Sequence, residues 1–362
     1  MDTFAFIIHP IDPKRDVSRK YPLLGKLLSE RQINFFSTFF PPVYISEIEG
    51  ITSEATGKQI KGWFVACPYT PQRMLELPEK TVYRKIIETG KLAERLGADI
   101  LGLGAFTSVI GDAGITIANA LDVPVTTGDS YTVSLAVESI KKAADIMDIP
   151  ISCATVAVVG ATGAIGKVCA ELLAGAVGEL YLVGRRADAL EALRERWQPT
   201  AKAKLRVSTS MDVLRRAQII LTVTSAVHDI IRPEDLMPGA VVCDVARPRD
   251  VSAMVAAARD DILVIDGGMV DVPGPVDFHF NFGFPPGKSY ACMAETMALA
   301  LEGRFEDYTL GKEISRARVE EISHIAAKHG FRLSGFRSFE RAVTPEQIEA
   351  VRRNAKKARR QS

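Results

Sequence analysis

The sequence predicts an α/β protein with two domains, one of them a doubly wound Rossmann domain, and with C-terminal helices that pack back at the cleft. Its 362 residues exceed what one hydrophobic core usually supports. From Ala154 onward, six β-type runs alternate with helical segments or short connections. A glycine-rich turn joins the first of these runs to a helix, as in nucleotide-binding βαβ units.

Four segments follow from this pattern. Residues 1–150 alternate strand and helix signals and form an N-terminal α/β substrate domain, and residues 151–288 form the Rossmann domain. Residues 289–332 hold two helices, 289–302 and 313–329, with stop signals at Gly303 and Gly330. We expect them to bridge the domains. Residues 333–362 form a basic extension, whose tail from Arg352 to Arg360 we expect to be disordered and solvated.

Composition limits the classes of function. The net charge of +1 creates no global field for nucleic acid or membranes. No apolar run reaches the ~18 residues of a membrane helix, and the start of the chain reads as a strand rather than a signal peptide. The five cysteines show no metal-type spacing, so we predict no metal site. We expect these cysteines to be free thiols, which indicates a reducing compartment, and the predicted localisation is the cytoplasm.

The cofactor site is predicted at the turn after the first Rossmann strand. Gly160, Gly163 and Gly166 follow the spacing that permits a tight turn, an approach to pyrophosphate and close helix packing. The intervening residues would line the phosphates with their N–H groups at the helix N-terminus. The candidates among them are Thr162, Ala164 and Ile165.

The end of the second Rossmann strand indicates which dinucleotide binds. Arg185 and Arg186 stand where NAD sites carry a carboxylate, and two guanidiniums suit a 2′-phosphate, so NADPH is the predicted cofactor. A solvated basic turn is the structural alternative. Thr224 and Ser225 are expected near the nicotinamide ribose, and residues 244–247 end the fifth strand.

Cys292 is the candidate nucleophile. The run KSYACMAE reads as a helix start with Ser289 as N-cap, so the helix dipole and Lys288 would favour the thiolate of Cys292. The alternative is a small packing residue on a buried helix. Three other cysteines fall in Rossmann elements and are expected to be inert core residues: Cys153, Cys169 and Cys243.

Several motifs resemble the long-chain acyl-(acyl-carrier-protein) reductases, which make fatty aldehydes. They are GATGAIGKVCAELL, the Asp266-Gly-Gly-Met-Val turn, SYACMAETMALALEG, VEEISHIAAKHGF, GAFTSVIG and TTGDSYT. The likeness covers most of residues 1–332. It implies NADPH-dependent reduction of a long-chain acyl thioester, on acyl carrier protein or on CoA, through a thioacyl group on Cys292.

That chemistry needs oxyanion donors and proton traffic. Ser108, Thr127 and His279 are candidates from loops, although loop hydroxyls more often satisfy nearby backbone. Glu295, one turn beyond Cys292, is a candidate base or orienting group. An acidic first turn also simply suits the helix dipole.

Two further features bear on substrate and partner. The rings of Phe278, Phe280, Phe282 and Phe284 share one face of an extended segment and would line an acyl channel, or simply pack. Phe35, Phe36, Phe39 and Phe40 are candidates to extend that channel. The basic residues of 352–360 suit an acidic acyl carrier protein, and also an anionic lipid surface through weak peripheral contact, or nucleic acid.

Two other functions stay open. A dehydrogenase of the shikimate or amino-acid type would transfer hydride directly and would not need Cys292. An NADPH-sensing regulatory protein would bind the cofactor without consuming it.

Overall fold

The structure is a computed structural model that describes residues 1–226, 229–246, 249–339 and 341–361. The chain divides into two compact units. Unit 1 contains Met1–Tyr131 and Val270–Arg332, and unit 2 contains Thr132–Met269 and Leu333–Ser362. Residues 289–332 therefore fall with the N-terminal unit, and the C-terminal extension falls with the Rossmann unit.

Unit 1 is built on a five-stranded mixed sheet. Its strands are β1 (Asp2–Ile8), β2 (Val43–Thr52), β3 (Gln59–Ala66), β4 (Leu101–Leu103) and β5 (Val125–Thr126), in the order β2-β3-β1-β4-β5. The β2–β3 pair is antiparallel and is joined by a turn that contains Gly57, and the other pairs are parallel.

Helices and one further strand complete unit 1. They are α1 (Pro13–Lys20), α2 (Pro22–Leu27), α3 (Glu30–Ser37), α4 (Pro71–Glu76), α5 (Glu79–Leu96), α6 (Phe106–Val109), α7 (Ile115–Ala118), β13 (Lys288–Tyr290), α12 (Ala291–Glu302) and α13 (Arg316–His329). Helices α12 and α13 end at Gly303 and Gly330, as predicted. Helix α12 packs on the sheet at β4, where a Cβ on Gly102 would lie 2.2 Å from Thr296 Oγ1.

Unit 2 contains the predicted Rossmann fold. The strands are β6 (Thr155–Val159), β7 (Glu179–Val183), β8 (Lys204–Ser208), β9 (Ile219–Thr222), β10 (Val241–Asp244) and β11 (Leu263–Ile265). They pair in parallel in the order β11-β10-β9-β6-β7-β8. Numbered from β6, this is the doubly wound order 3-2-1-4-5-6, so the predicted α/β class is confirmed.

The helices of unit 2 lie between or after these strands. They are α9 (Ala164–Ala174), α10 (Ala187–Trp197), α11 (Ala253–Ala258) and α14 (Pro345–Gln361). Two elements, α8 (Asp129–Ile146) and β12 (Gly268–Asp271), have residues in both units. Strand β14 (Arg332–Ser338) pairs antiparallel with β15 (Arg341–Ala342). The strands bury continuous apolar runs because both faces of the sheet are covered.

The expectation of a disordered C-terminal tail was wrong. Residues 345–361 form α14, in which Ala355 is buried and Arg352 bonds both carboxylate oxygens of Asp148 at 2.7 and 2.8 Å. Arg359 donates to the carbonyls of Gly239 and Met147, at 2.6 and 3.1 Å. Part of the basic charge therefore holds the helix in place instead of facing water.

Candidate active site

The glycine loop of unit 2 has the geometry that its spacing predicts. Gly160 has φ +87°, and a Cβ there would lie 2.5 Å from Val223 O. A Cβ on Gly166 would lie 2.2 Å from Gly160 O, so only glycine allows α9 to approach β6 this closely. Gly163, the N-cap of α9, is exposed and uncrowded except for one atom at 3.2 Å. The Gly163 N–H itself donates to Gly160 O at 2.9 Å, so the N–H groups suited to a phosphate are those in the first turn of α9.

The side chains of the basic pair after β7 are free to bind. Arg185 and Arg186 are both exposed, and Arg186 is the N-cap of α10. Within the described ranges, neither guanidinium forms an ion pair. The residues present therefore fit a dinucleotide that carries an additional phosphate on its ribose.

A buried carboxylate that no local sequence pattern indicated organises the end of β9. Asp250 is fully buried and accepts hydrogen bonds from the hydroxyls of Thr222 and Thr224, both at 2.5 Å. It also accepts from the Thr224 N–H at 2.9 Å. Because the Thr224 hydroxyl is engaged in this way, it orients the loop rather than reaching for a ribose. Ser225 is exposed, whereas Arg247 lies outside the described residues.

Helix α12 presents Cys292 in its first turn, but not with the cap that the sequence predicts. The N-cap is Tyr290, without a side-chain cap, and Ser289 belongs to strand β13. Lys288 forms an ion pair with Asp271 at 2.5 Å. Its charge is therefore directed to that carboxylate, and the expected support from Lys288 for a Cys292 thiolate was wrong.

Residues 126–131 lie directly against this turn of α12. Gly128 has φ +76°, and a Cβ there would lie 2.3 Å from Cys292 Cα and 2.4 Å from Cys292 Cβ. A side chain at position 128 would collide with the backbone that carries the thiol. Gly128 therefore brings the 127–129 backbone into direct contact with Cys292.

Glu295 fixes this contact. It is fully buried, and its Oε1 accepts from the hydroxyls of Thr126 at 2.5 Å and Thr309 at 2.8 Å, while Oε2 accepts from the Tyr131 N–H at 2.8 Å. Both carboxylate oxygens are thus engaged. This geometry favours the orienting role over the base role that the sequence left open.

The electrostatics of the cluster oppose a preformed thiolate. Burial and then the charge of Asp129 raise the pKa of the Cys292 thiol to about 12, so the expected lowering by the helix dipole was wrong. Burial also raises the pKa of Glu295. Asp129, which sequence reasoning missed, is buried, and burial followed by the charge of Glu295 raises its pKa to about 7.

The other candidate proton donors are bonded elsewhere. Ser108 is buried and donates to Ala105 O at 2.7 Å, within its own turn. That turn is held by His9, whose Nε2 accepts from the Phe106 N–H at 3.0 Å. His279 is half exposed and lies between Asp277 and Glu49, at 3.3 and 3.5 Å. Neither contact is with the Cys292 cluster.

The predicted aromatic residues do cluster, although their segment bends instead of extending. Phe64 stacks on Phe278 at 5.8 Å and meets Phe282 edge to face at 5.2 Å. The row continues through Phe284 to Tyr290, whose ring centroids are 4.3 Å apart. Since Tyr290 caps α12, the aromatic row ends at the helix turn that carries Cys292.

The solvent exposure of the remaining aromatic residues and cysteines agrees only in part with the expectation. Phe35, Phe36, Phe39 and Phe40 are 42–70% exposed, on and just beyond α3, so they belong to the surface rather than to a core. Cys169 and Cys243 are fully buried, as predicted. Cys153 is exposed because it ends the short turn before β6, so its assignment to the core was wrong.

The described part of the chain contains neither a membrane-spanning helix nor a cluster of metal-ligating side chains. No helix there is long and apolar enough to cross a bilayer. No group of three or more His, Cys, Asp or Glu side chains in those same ranges could hold a metal ion.

Known proteins resemble the chain over most of its length. Residues 141–266 match the family described as Shikimate / quinate 5-dehydrogenase. The chain is 30% identical over 365 residues to aminotransferase PigE of Serratia sp., which covers 97% of this chain but only 42% of PigE. It is also 30% identical over 346 residues to the long-chain acyl-[acyl-carrier-protein] reductase of Synechococcus elongatus, which covers 91% of this chain and 98% of that protein.

A solved structure is similar over the whole chain. The crystal structure of L-tryptophan dehydrogenase from Nostoc punctiforme is 13% identical, with a TM-score of 0.43, over 100% of this chain and 89% of that one.

Proposed function

Because this chain belongs to the long-chain acyl-[acyl-carrier-protein] reductase family, we propose that it reduces long-chain fatty acyl thioesters to fatty aldehydes with NADPH. Its relatives and its Rossmann unit make it a nicotinamide-dependent oxidoreductase. The thioester substrate, the aldehyde product and the choice of NADPH are the proposal.

One observation carries this proposal. Cys292 lies in the first turn of α12, partly exposed, with the backbone of Gly128 pressed against its Cα. Glu295 holds that arrangement through three hydrogen bonds. An inert packing cysteine would not need a neighbouring backbone fixed so closely beside it.

Cys292 acts as the nucleophile in this mechanism. Its Sγ forms a bond to the thioester carbonyl carbon, the bond from that carbon to the carrier sulfur breaks, and the thiol proton ends on the departing carrier thiolate. When bound, NADPH would supply the hydride that reduces the thioacyl group to the aldehyde level. Collapse of the resulting thiohemiacetal oxyanion releases the aldehyde, and one proton from water returns Cys292 to the thiol.

The cofactor is assigned to unit 2. The N–H groups in the first turn of α9, which the exposed and uncrowded Gly163 leads into, would hold the pyrophosphate. Arg185 and Arg186 would grip the 2′-phosphate, since both are exposed and neither belongs to an ion pair within the described ranges. These contacts support NADPH over NADH.

The acyl chain is assigned to the aromatic row of unit 1. Aromatic faces supply a large apolar surface, and the row from Phe64 through Phe282 and Phe284 ends at Tyr290, two residues before Cys292. A chain bound along this row would place its thioester at the first turn of α12.

The proposed macromolecular partner is an acyl carrier protein, because the Synechococcus elongatus relative is named for that substrate. Carrier proteins are acidic, and α14 presents Arg353, Lys357 and Arg360 on one exposed face. Acyl-CoA is the alternative thioester. No nucleic-acid partner is proposed, because the net charge of +1 provides no large basic field.

The match of residues 141–266 to the shikimate / quinate 5-dehydrogenase family favours a second candidate. A dehydrogenase of that type would transfer hydride directly to a small hydroxy- or amino-acid substrate. Cys292 would then be dispensable, which separates the two functions experimentally.

The experiment follows NADPH absorbance while palmitoyl or stearoyl thioesters are supplied on carrier protein and on CoA. The product is identified by mass spectrometry, and Cys292→Ala is measured beside Cys169→Ala, a matched change at a buried cysteine of α9. Aldehyde from the wild type and from C169A, but not from C292A, supports the proposal. NADPH binding without aldehyde from any thioester overturns it.

A further inference from the structure

The segment 127–129 brings a second carboxylate to the Cys292 site. Gly128 touches Cys292 through its backbone, and Thr127 and Asp129 on either side of it are 1% and 6% exposed. Asp129 opens helix α8. Two acids, Asp129 and Glu295, are therefore buried beside one thiol.

The two acids differ in how the fold uses them. Glu295 has both oxygens committed to donors that hold the chain together. Near Asp129, the Thr127 hydroxyl is buried without a hydrogen bond of ordinary geometry, yet it lies close enough to lower the pKa of the Asp129 carboxyl. A buried carboxylate costs stability, so a site that retains one beside a reactive group is a candidate for proton chemistry.

The thiol needs such a group. Since burial and Asp129 raise the pKa of Cys292 to about 12, the thiol is protonated at neutral pH and a base must take its proton as it attacks. Asp129, with its pKa raised to about 7, is partly ionised at that pH and can both accept and return a proton.

We propose that Asp129 is the catalytic acid–base that exchanges a proton with Cys292 Sγ; this inference rests on the proposed function. As the Sγ–acyl bond forms, the thiol proton passes to the Asp129 carboxylate. It then passes to the carrier sulfur as the old thioester bond breaks. As the thiohemiacetal oxyanion re-forms its C=O bond and the Sγ–carbon bond breaks, Asp129, which has taken up one proton from water, protonates the departing Cys292 thiolate. Protons and electron pairs balance over the two steps, which consume one thioester, one NADPH and one proton from water and release the aldehyde, the carrier thiol and NADP⁺.

Charged and titratable groups reach Asp129 from the elements packed around it. From α12 these are Cys292 and Glu295. The charge of Glu295 raises the pKa of Asp129, and the charge of Asp129 raises the pKa of Cys292. From its own segment the neighbour is the neutral Thr127 hydroxyl. The pH response of the site is therefore assigned to Asp129 coupled to Glu295 and Cys292.

The test combines two reactions of the same cysteine in wild type and in Asp129→Asn, with exposed Asp145→Asn on α8 as the matched control. One reaction is single-turnover transfer of a palmitoyl group from carrier protein to Cys292 without cofactor, from pH 5.5 to 9. The other is alkylation of Cys292 by iodoacetamide at pH 9, which needs neither substrate nor cofactor. Peptide mass spectrometry separates Cys292 from the exposed Cys153.

We expect D129N to slow acyl transfer at pH 7 by about 10²–10³-fold, the usual scale of acid–base catalysis, and to remove its rise near pH 7. We expect alkylation at pH 9 to become faster, because removal of the Asp129 charge lowers the pKa of the thiol. A merely structural role would slow both reactions, and a merely repulsive carboxylate would speed both; either result overturns the inference. Absence of acyl transfer in the wild type would overturn the proposed function itself. Unchanged alkylation in D129N would, independently of that result, exclude electrostatic coupling between Asp129 and Cys292.

Discussion

Gly128 and Cys292 are in backbone contact: a Cβ on Gly128 would lie 2.3 Å from the Cys292 Cα, and the Gly128 φ of +76° also disfavours any L side chain. The contact joins a loop at the end of β5 to the helix that carries the proposed nucleophile. The contact places Asp129 and Thr127 beside the thiol. Glu295 stabilises the contact by accepting hydrogen bonds from Thr126 and Tyr131. Disturbing this one contact should therefore affect acyl transfer before anything else.

Replacement of Gly128 by Ala should separate the contact from the fold. The positive φ costs about 1 kcal/mol, and the overlap with Cys292 must be relieved by moving the loop away from α12. We expect loss of acyl-enzyme formation by 100-fold or more, measured by quenched-flow mass spectrometry. Gly335→Ala is the matched control, because Gly335 has φ +90° and no atom within 4 Å of its Cβ position. Equal losses in the two variants would contradict the assignment.

The ionisation of Asp129 should make the folded protein less stable as pH rises. Its pKa is about 7 in the folded chain and 3.8 ordinarily, so between those values the folded state binds more protons and stability falls with increasing pH. Asp129→Asn removes this dependence. We expect the free energy of unfolding in urea, D129N minus wild type, to grow by roughly 2–3 kcal/mol from pH 5 to pH 8. A difference that does not change with pH would contradict the shifted ionisation.

His9 acts in the opposite direction over an overlapping range. Burial lowers its pKa to about 4 from 6.5, so below pH 6.5 the unfolded chain binds more protons and stability falls as pH falls. Because His9 is present in both proteins, its contribution cancels in the D129N comparison. In the wild type, His9→Asn should flatten the acid side of the stability profile, measured by urea unfolding at pH 5 and 7. An unaltered slope would show that His9 is not buried in neutral form.

Arg185→Ala with Arg186→Ala should change which nicotinamide cofactor binds. If both guanidiniums hold the 2′-phosphate, the Kd for NADPH rises 10- to 1000-fold and that for NADH changes little, since a charge-assisted hydrogen bond contributes about 1.5–3 kcal/mol. Fluorescence titration measures both. Arg206→Ala is the control, because Arg206 is an exposed arginine of β8 already paired with Glu179. A parallel loss for NADH would mean that the pair does not read the 2′-phosphate.

The exposed basic face of α14 should affect the reaction only when the acyl group is carried by acyl carrier protein. Charge reversal at Arg353, Lys357 and Arg360 leaves the Arg352 and Arg359 contacts that hold the helix intact. We expect KM for palmitoyl carrier protein to rise at least 10-fold, with turnover of an uncharged palmitoyl pantetheine unchanged. Lys141→Glu with Lys142→Glu, both exposed on α8, is the control. If the control raises KM equally, general charge rather than this face explains binding.

Local patterns in the sequence predicted the fold well. Six apolar runs and a glycine loop specify a Rossmann sheet because each feature is local, and the structure has the order β8-β7-β6-β9-β10-β11 that the pattern implies. Helix ends at Gly303 and Gly330 were likewise predicted, since one residue decides each of them.

The electrostatics of the site were not predictable in the same way. The helix-dipole argument for Cys292 considered one helix, whereas the pKa of the thiol depends on burial and on Asp129, which is 163 positions away in the chain. Asp250 was missed for the same reason: its partner Thr224 lies 26 positions earlier. Nothing local in either sequence segment indicates which distant side chain it will meet.

The most direct measurement of the central claim is the mass of the enzyme after incubation with palmitoyl carrier protein and no cofactor. If Cys292 is the acyl acceptor, the intact protein gains one palmitoyl group, peptide mapping places it on Cys292, and addition of NADPH removes it with release of one aldehyde. An unmodified Cys292, or an adduct that NADPH leaves in place while aldehyde forms, would contradict a thioacyl-enzyme mechanism.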